Sequence, residues 1–222
     1  MRQVQKLMRH VSDRGVAEAC RWAWHSVQVH YTCRRLGFSR PPQVPLSEVG
    51  IDDVECHRHG ATNYPDFRKS MRAVPLRAGE DVFLDFGSGM GAALVMAAQY
   101  PFRRLLGVEI SAQLNEQARE LLDRLRPRLR CREYELQVAN ALDYEVPDNV
   151  TVVHMFSPFR GKILEAALAS IRRSLERRPR RLYLISKNME HFGEPPAWMR
   201  EIRRFACYPR HDCVVFRCEL SG

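Results

Sequence analysis

A short apolar run, Val82-Phe83-Leu84-Asp85-Phe86, breaks directly into Gly87-Ser88-Gly89-Met90-Gly91, and a helical pattern follows from Ala92 to Gln99. Strand, glycine-rich turn and helix in that order restrict the fold sharply. Glycine lets the backbone turn tightly and approach a ligand with no side chain in the way. Glu109 ends the next strand-like run, Leu105 to Glu109, 22 residues after Gly87. An acidic side chain there can accept hydrogen bonds from ribose hydroxyls.

The rest of the chain repeats the alternation. Residues from about 3 to 37 have helical spacing, with Val16, Ala19, Cys20, Ala23, Val27 and Tyr31 as the expected buried stripe, and Gly37 and Pro41-Pro42 as the stop. Residues 38 to 62 are rich in proline, histidine and acids and show no period, which predicts a long loop or lid. Pro65 to Val74, Ala112 to Arg126 and Ile163 to Leu175 predict helices. Tyr134 to Val138, Val150 to Phe156 and Arg181 to Ser186 predict strands. Such alternation is the pattern of a parallel sheet with helices on both faces. Ile202 to Cys207 and Cys213 to Leu220, joined by a turn-rich stretch, add an antiparallel hairpin at its edge.

Composition narrows the partners. The chain has 222 residues, enough for one domain. No apolar run approaches the roughly 20 residues that span a bilayer, and Asp13, Arg14, Glu18 and Arg21 interrupt any signal-type segment. The expectation is a cytoplasmic protein without membrane contact. The net charge of +9 comes almost wholly from arginine, concentrated at Arg124 to Arg132 and Arg172 to Arg181. A nucleic-acid partner is one explanation. Helix C-termini, where arginine opposes the dipole, are the other, and the absence of interleaved aromatic residues favours it. The 7 cysteines are scattered, so reduced thiols are expected and no disulfide framework. Cys56, His57 and His59 lack a second ligand pair nearby, so no metal site is expected.

Two cofactor classes use a glycine loop of this kind, and Gly87, Gly89 and Ala92 even satisfy the loose dinucleotide fingerprint. Asp85 separates them. A carboxylate at the strand end repels a pyrophosphate and attracts the ammonium group of a methionine moiety. The loop also starts some 80 residues into the chain, and the remaining residues fill one sheet with no separate substrate domain. S-adenosylmethionine is the expected cofactor.

The run Val82 to Gly91, with Leu106-Gly107-Val108-Glu109 and the terminal hairpin, resembles the class I methyltransferases over roughly residues 64 to 220. The resemblance implies a Rossmann-like α/β fold: a seven-stranded, mostly parallel sheet with an antiparallel C-terminal hairpin, helices on both faces and an N-terminal helical cap. Residues 1–62 would form that cap or lid and 63–222 the S-adenosylmethionine-binding domain. By the same resemblance Asp85, Gly87 and Gly89 would hold the methionine portion, with Ser88 and Gly91 completing the loop. Glu109 would bind the ribose hydroxyls, Ile110 would pack on the adenine, and Ala139-Asn140-Ala141 would line the adenine pocket. Tyr64 would close over the cofactor carboxylate, and Phe156 would lie beside the cofactor.

The acceptor is expected at Met155-Phe156-Ser157-Pro158-Phe159, which is similar to the Asn/Asp-Pro-Pro-aromatic and Asn-Pro-Phe motifs of amine methyltransferases. There a polar side chain and a backbone carbonyl accept the amine protons while an aromatic face steadies positive charge. Ser157 stands in place of the usual Asn or Asp, Phe159 supplies the ring, and His191 is the candidate base. Tyr31 and His30 would reach the acceptor pocket if the first helix caps the sheet, while His154, inside a strand, is expected to be a satisfied buried histidine. The layout is also distantly similar to the non-SET lysine methyltransferases. N-methylation of an amine on a small molecule or protein is therefore expected first. Alternatives are a hydroxyl acceptor, RNA, or a module that binds cofactor without turnover.

Overall fold

The computed structural model describes residues 15–39, 64–156, 159, 161–187, 194–207 and 211–220. The helices are α1 (Val16–Leu36), α2 (Tyr64–Met71), α3 (Ala92–Ala97), α4 (Ala112–Leu125) and α5 (Gly161–Arg177). The strands are β1 (Val82–Phe86), β2 (Arg104–Glu109), β3 (Tyr134–Val138), β4 (Val152–Phe156), β5 (Leu182–Lys187), β6 (Met199–Cys207) and β7 (His211–Cys218). They form one seven-stranded sheet in the order β3-β2-β1-β4-β5-β7-β6. The five strands β1 to β5 run parallel, and β7 lies antiparallel to both β5 and the edge strand β6.

Each face of the sheet has its own core. Phe83, Val152, Tyr183, Ile185 and Val215 meet α1 through Val29 and Cys33, α2 through Phe67 and Met71, and α3 and α4 through Leu94 and Leu122. On the other face Leu84, Val153, Leu184 and Phe216 pack on Ile163, Ala167, Ile171 and Leu175 of α5. Alternation along the strands divides the apolar residues between these two cores. Strand order reverses between β1 and β4, the switch point at which open α/β sheets bind ligands beyond the strands' carboxyl ends.

The expected buried stripe of α1 lies on the wrong side. Val16, Val27 and Tyr31 are 60% or more exposed, Cys20 is exposed as well, and Ala19 alone of the stripe is fully buried. The helix instead buries Ala19, Val29 and Cys33. Both sides of α1 carry apolar residues, so helical period alone cannot decide which faces the core. Gly37, in the left-handed conformation, caps the helix, and Phe38 donates to the Cys33 carbonyl and packs into the core beneath it. Residues 3–14 of the predicted helix and the 40–62 part of the predicted lid lie outside the described residues.

Arginines in the two basic runs have internal partners. Arg173 and Arg177 bind Glu145, and Arg177 also binds Asp148. Arg180 donates to the Val150 and Ser174 carbonyls, and Arg181 holds the buried Asp81 carboxylate through both oxygens. Arg124 donates to the Gly37 carbonyl and Arg132 to Leu129.

Gly91 joins the loop to the helix layer. Its φ is +78°, and a Cβ there would stand 3.0 Å from the Cβ of Ala118 and 3.3 Å from that residue's Cα on α4. Left-handed strain and a backbone that cannot retreat both oppose a side chain. Gly91→Ala is therefore expected to lower stability by roughly 1–3 kcal/mol. Urea titration checks this; an unchanged midpoint would show that α3 and α4 can separate freely.

Candidate active site

The carboxyl ends of β1 and β2 build the loop from backbone hydrogen bonds. The amides of Gly87 and Ser88 both donate to the Val108 carbonyl, at 2.8 and 3.0 Å, so the chain turns directly over β2. Gly87, Gly89 and Gly91 all have positive φ, which L-residues with side chains adopt at a cost. Glu109 then clamps the loop: one carboxylate oxygen accepts from the Gly89 amide at 2.8 Å, the other from the Ser111 amide at 3.0 Å. Ser111 in turn caps α4 by accepting from the Leu114 amide. Burial pushes the Glu109 carboxyl above its ordinary range; the bonds from Ser111 and Gly89 pull it back, and the neighbouring Asp85 adds to the push.

Asp85 is buried on the face covered by α2, where its Oδ1 lies 2.7 Å from Nδ1 of His154. Parallel pairing of β1 with β4 sets Asp85 directly beside His154, and Phe67 and Phe83 border the imidazole. His154 is thus a satisfied buried residue, as expected, and its partner is the very carboxylate that the loop motif supplies.

At the ends of β2 and β3 the surface turns apolar. Ile110 and Leu142 are 43% and 41% exposed, and Ala141, between Asn140 and Leu142, is buried. Asn140 uses its Oδ1 to accept from the Leu142 amide at 3.0 Å, which fixes the turn after β3. An exposed apolar rim next to a carboxylate and a backbone cradle has the chemistry to take a flat purine ring and a ribose. Ser88 Oγ and Asn115 Nδ2 are also buried without a hydrogen-bond partner among the described residues.

Phe159, half-buried beyond β4, packs edge-on against Phe86 with ring centroids 6.2 Å apart, and Tyr144 meets the same ring at 5.5 Å. Tyr64 opens α2 and packs against the core that contains Phe67. Tyr31 and His30 are exposed on α1. Ser157, His191 and the side chain of Phe156 lie outside the described residues, as do Cys56, His57 and His59. Asp85, Gly87, Ser88, Gly89, Gly91, Glu109, Ile110, Asn140 and Ala141 come together at the carboxyl ends of β1, β2 and β3. Leu142 and the buried Lys187–Asp66 pair, 3.3 Å apart at the end of β5, were not anticipated. Leu142 carried a signal, an apolar residue in a polar turn; the ion pair carried none, because its members are 121 residues apart.

Residues 83–178, from β1 to just past α5, match the family model described as a methyltransferase domain. No curated protein matches the chain in sequence. An RNA methyltransferase from Salinibacter ruber, solved with S-adenosyl-L-homocysteine, is similar in structure, with 16% identity, a TM-score of 0.55, and coverage of 73% of this chain and 96% of that one. A putative methyltransferase from Escherichia coli, yhhF, gives 17% and 0.56, with 73% and 90% covered. A SAM-dependent methyltransferase from Aquifex aeolicus gives 16% and 0.53, with 79% and 100% covered. The solved structures speak for the Rossmann-like fold and the match over residues 83–178 for the activity: the chain is a methyltransferase that uses S-adenosylmethionine as its cofactor.

Proposed function

We propose that the enzyme N-methylates an amine of a small molecule or protein side chain. The observation that carries this reading is the aromatic wall at the carboxyl end of β4, where half-buried Phe159 follows Ser157-Pro158 and rests on Phe86. The cofactor supplies a methyl group activated by its sulfonium. What the chain must do is hold a neutral amine in line with that carbon, about 3–3.5 Å away, and keep water out. In this reading Ser157 and a backbone carbonyl orient the amine protons, and His191 takes the proton released. The Phe159 ring steadies the charge that grows on nitrogen, a contribution of roughly 0.5–2 kcal/mol in a desolvated site.

The cofactor assignments rest on the geometry of the loop. Gly87, Ser88, Gly89 and Gly91 leave room for the methionine portion, and Asp85 sets the negative potential beneath its ammonium group. Glu109 faces the ribose, and Ile110, Asn140 and Ala141 border the adenine. Tyr64 and Phe156 close the methionine end. Residues 1–62 are assigned to a cap over the domain at 63–222, supported by the packing of α1 on α2.

Calorimetry with S-adenosylhomocysteine tests the cofactor assignments. Asp85→Ala and Gly89→Arg are each expected to weaken binding at least about tenfold, the equivalent of ~1.4 kcal/mol; unchanged affinity in both, with circular dichroism intact, sinks the assignment. For Glu109 the sign of the pH effect is definite. Its carboxyl pKa is raised in the folded protein, so between the ordinary value of 4.5 and the raised one the folded state holds a proton that the unfolded chain has lost. Stability without ligand therefore falls as pH rises through that window. Glu109→Gln is expected to flatten this part of the profile in urea midpoints recorded from about pH 4 to about pH 7; a curve parallel to the unmodified protein contradicts the assignment. Finally, a panel of amines, hydroxy compounds, proteins and RNA with methyl-labelled cofactor should place label on amines, with Phe159→Ala lowering kcat about 2- to 30-fold. Label confined to RNA or to hydroxyl groups would replace the amine reading.

A further inference from the structure

The carboxyl edge of the sheet carries a second constellation that methyl transfer does not use. Lys187, the last residue of β5, pairs in register with Cys213 on β7, and Cys213 pairs with Phe205 on β6. Cys207 lies two residues beyond Phe205, so its side chain shares a sheet face with Cys213 and stands diagonally across the hairpin. The two thiols neighbour each other, and Ser70 Oγ of α2 lies 3.1 Å from the Cys213 sulfur. Both cysteines are buried, at 4% and 3% exposure, beneath α2 and beside the Lys187–Asp66 pair.

Their electrostatics differ from those of the other shifted thiols. Burial raises Cys131 and Cys218, the usual outcome for a sulfur in an apolar setting. Cys213 moves down: the neighbouring Cys207 thiol is the largest cause, and the Ser70 hydroxyl, His154 and Lys187 add to it against the opposing effect of burial. Cys207 moves up, with the neighbouring Cys213 as the largest cause and burial adding to it. A thiol of lowered pKa with a second thiol beside it is the arrangement that oxidises reversibly.

We propose that Cys207 and Cys213 are a peroxide-oxidised dithiol that closes to a reversible disulfide. The Cys213 thiolate attacks one oxygen of hydrogen peroxide and the O–O bond breaks. Cys213 becomes a sulfenic acid and the departing hydroxide takes up the proton as water. The Cys207 sulfur then attacks the sulfenic sulfur, the S–O bond breaks, and the Cys207 proton leaves with the hydroxide as a second water. Two thiols are oxidised by two electrons and one peroxide is reduced. Peroxide is small and neutral, which suits a site with so little exposure. Closure removes the thiol that contacts Ser70 and ties the end of β6 to the start of β7 next to Lys187. The proposal does not depend on the identity of the methyl acceptor.

Peptide mapping of the full chain tests it. Trypsin cuts after Arg204, Arg210 and Arg217, so the cysteines fall in separate peptides, 205–210 and 211–217. After graded hydrogen peroxide, denaturation in N-ethylmaleimide and digestion, the two are expected as one linked species, two hydrogen masses below their sum. Dithiothreitol should separate them. Cys207→Ser should stop at the sulfenic acid, with dimedone trapping Cys213. Recovery of both as N-ethylmaleimide adducts, at peroxide levels that fully oxidise the exposed Cys20, overturns the proposal. Linkage of either to Cys20 instead of to each other overturns it too.

Discussion

Glu109 holds the shape of the loop on which the rest of the site depends. A chain that turns over β2 through three glycines of positive φ has little preference for one conformation, because glycine loses more entropy on ordering than any other residue. The carboxylate offsets that loss with two charge-assisted hydrogen bonds, to the amides of Gly89 and Ser111. Ser111 also caps α4, and Ala118 on α4 stands against Gly91. One buried side chain thus sets the loop, the start of α4 and the seat of α3 together. Its raised pKa reflects the same arrangement, since a carboxylate held there is poorly solvated.

A belt of polar groups crosses one face of the sheet just below the ligand edge. It runs from Asp85 and His154 to Lys187 and Asp66, and on to Ser70 and Cys213. Taking such groups out of water costs several kcal/mol per ion, and apolar replacements of the same volume often stabilise a protein. A polar belt at this height is therefore poorly explained by stability. It fits the chemistry proposed for the carboxyl edge, where β1 carries Asp85, β4 leads to Ser157-Pro158-Phe159 and β7 brings Cys213.

The arginine count admitted a nucleic-acid partner, but several of the arginines are directed inward. Arg180 and Arg181 bind carbonyls and a buried carboxylate near the amino ends of β1 and β5. Arg173 and Arg177 tie α5 to the turn before β4. Net charge reports the sum of ionised groups and nothing about which of them are already paired.

Local patterns in the chain were enough to establish the alternation of strands and helices, the glycine loop, Glu109 and the closing hairpin. Period-two runs, helical spacing and glycine's backbone freedom act over a few residues and survive in any context. The same patterns did not single out Leu142 and assigned α1 its exposed side. Tertiary structure alone decided which stripe of α1 is buried, which strands are neighbours, that Asp85 meets His154 and that Cys207 shares a buried sheet face with Cys213. Those outcomes depend on lateral register between strands far apart in the chain and on which helix covers which face. No spacing along the sequence encodes them, because they are set by the packing of whole elements against one another.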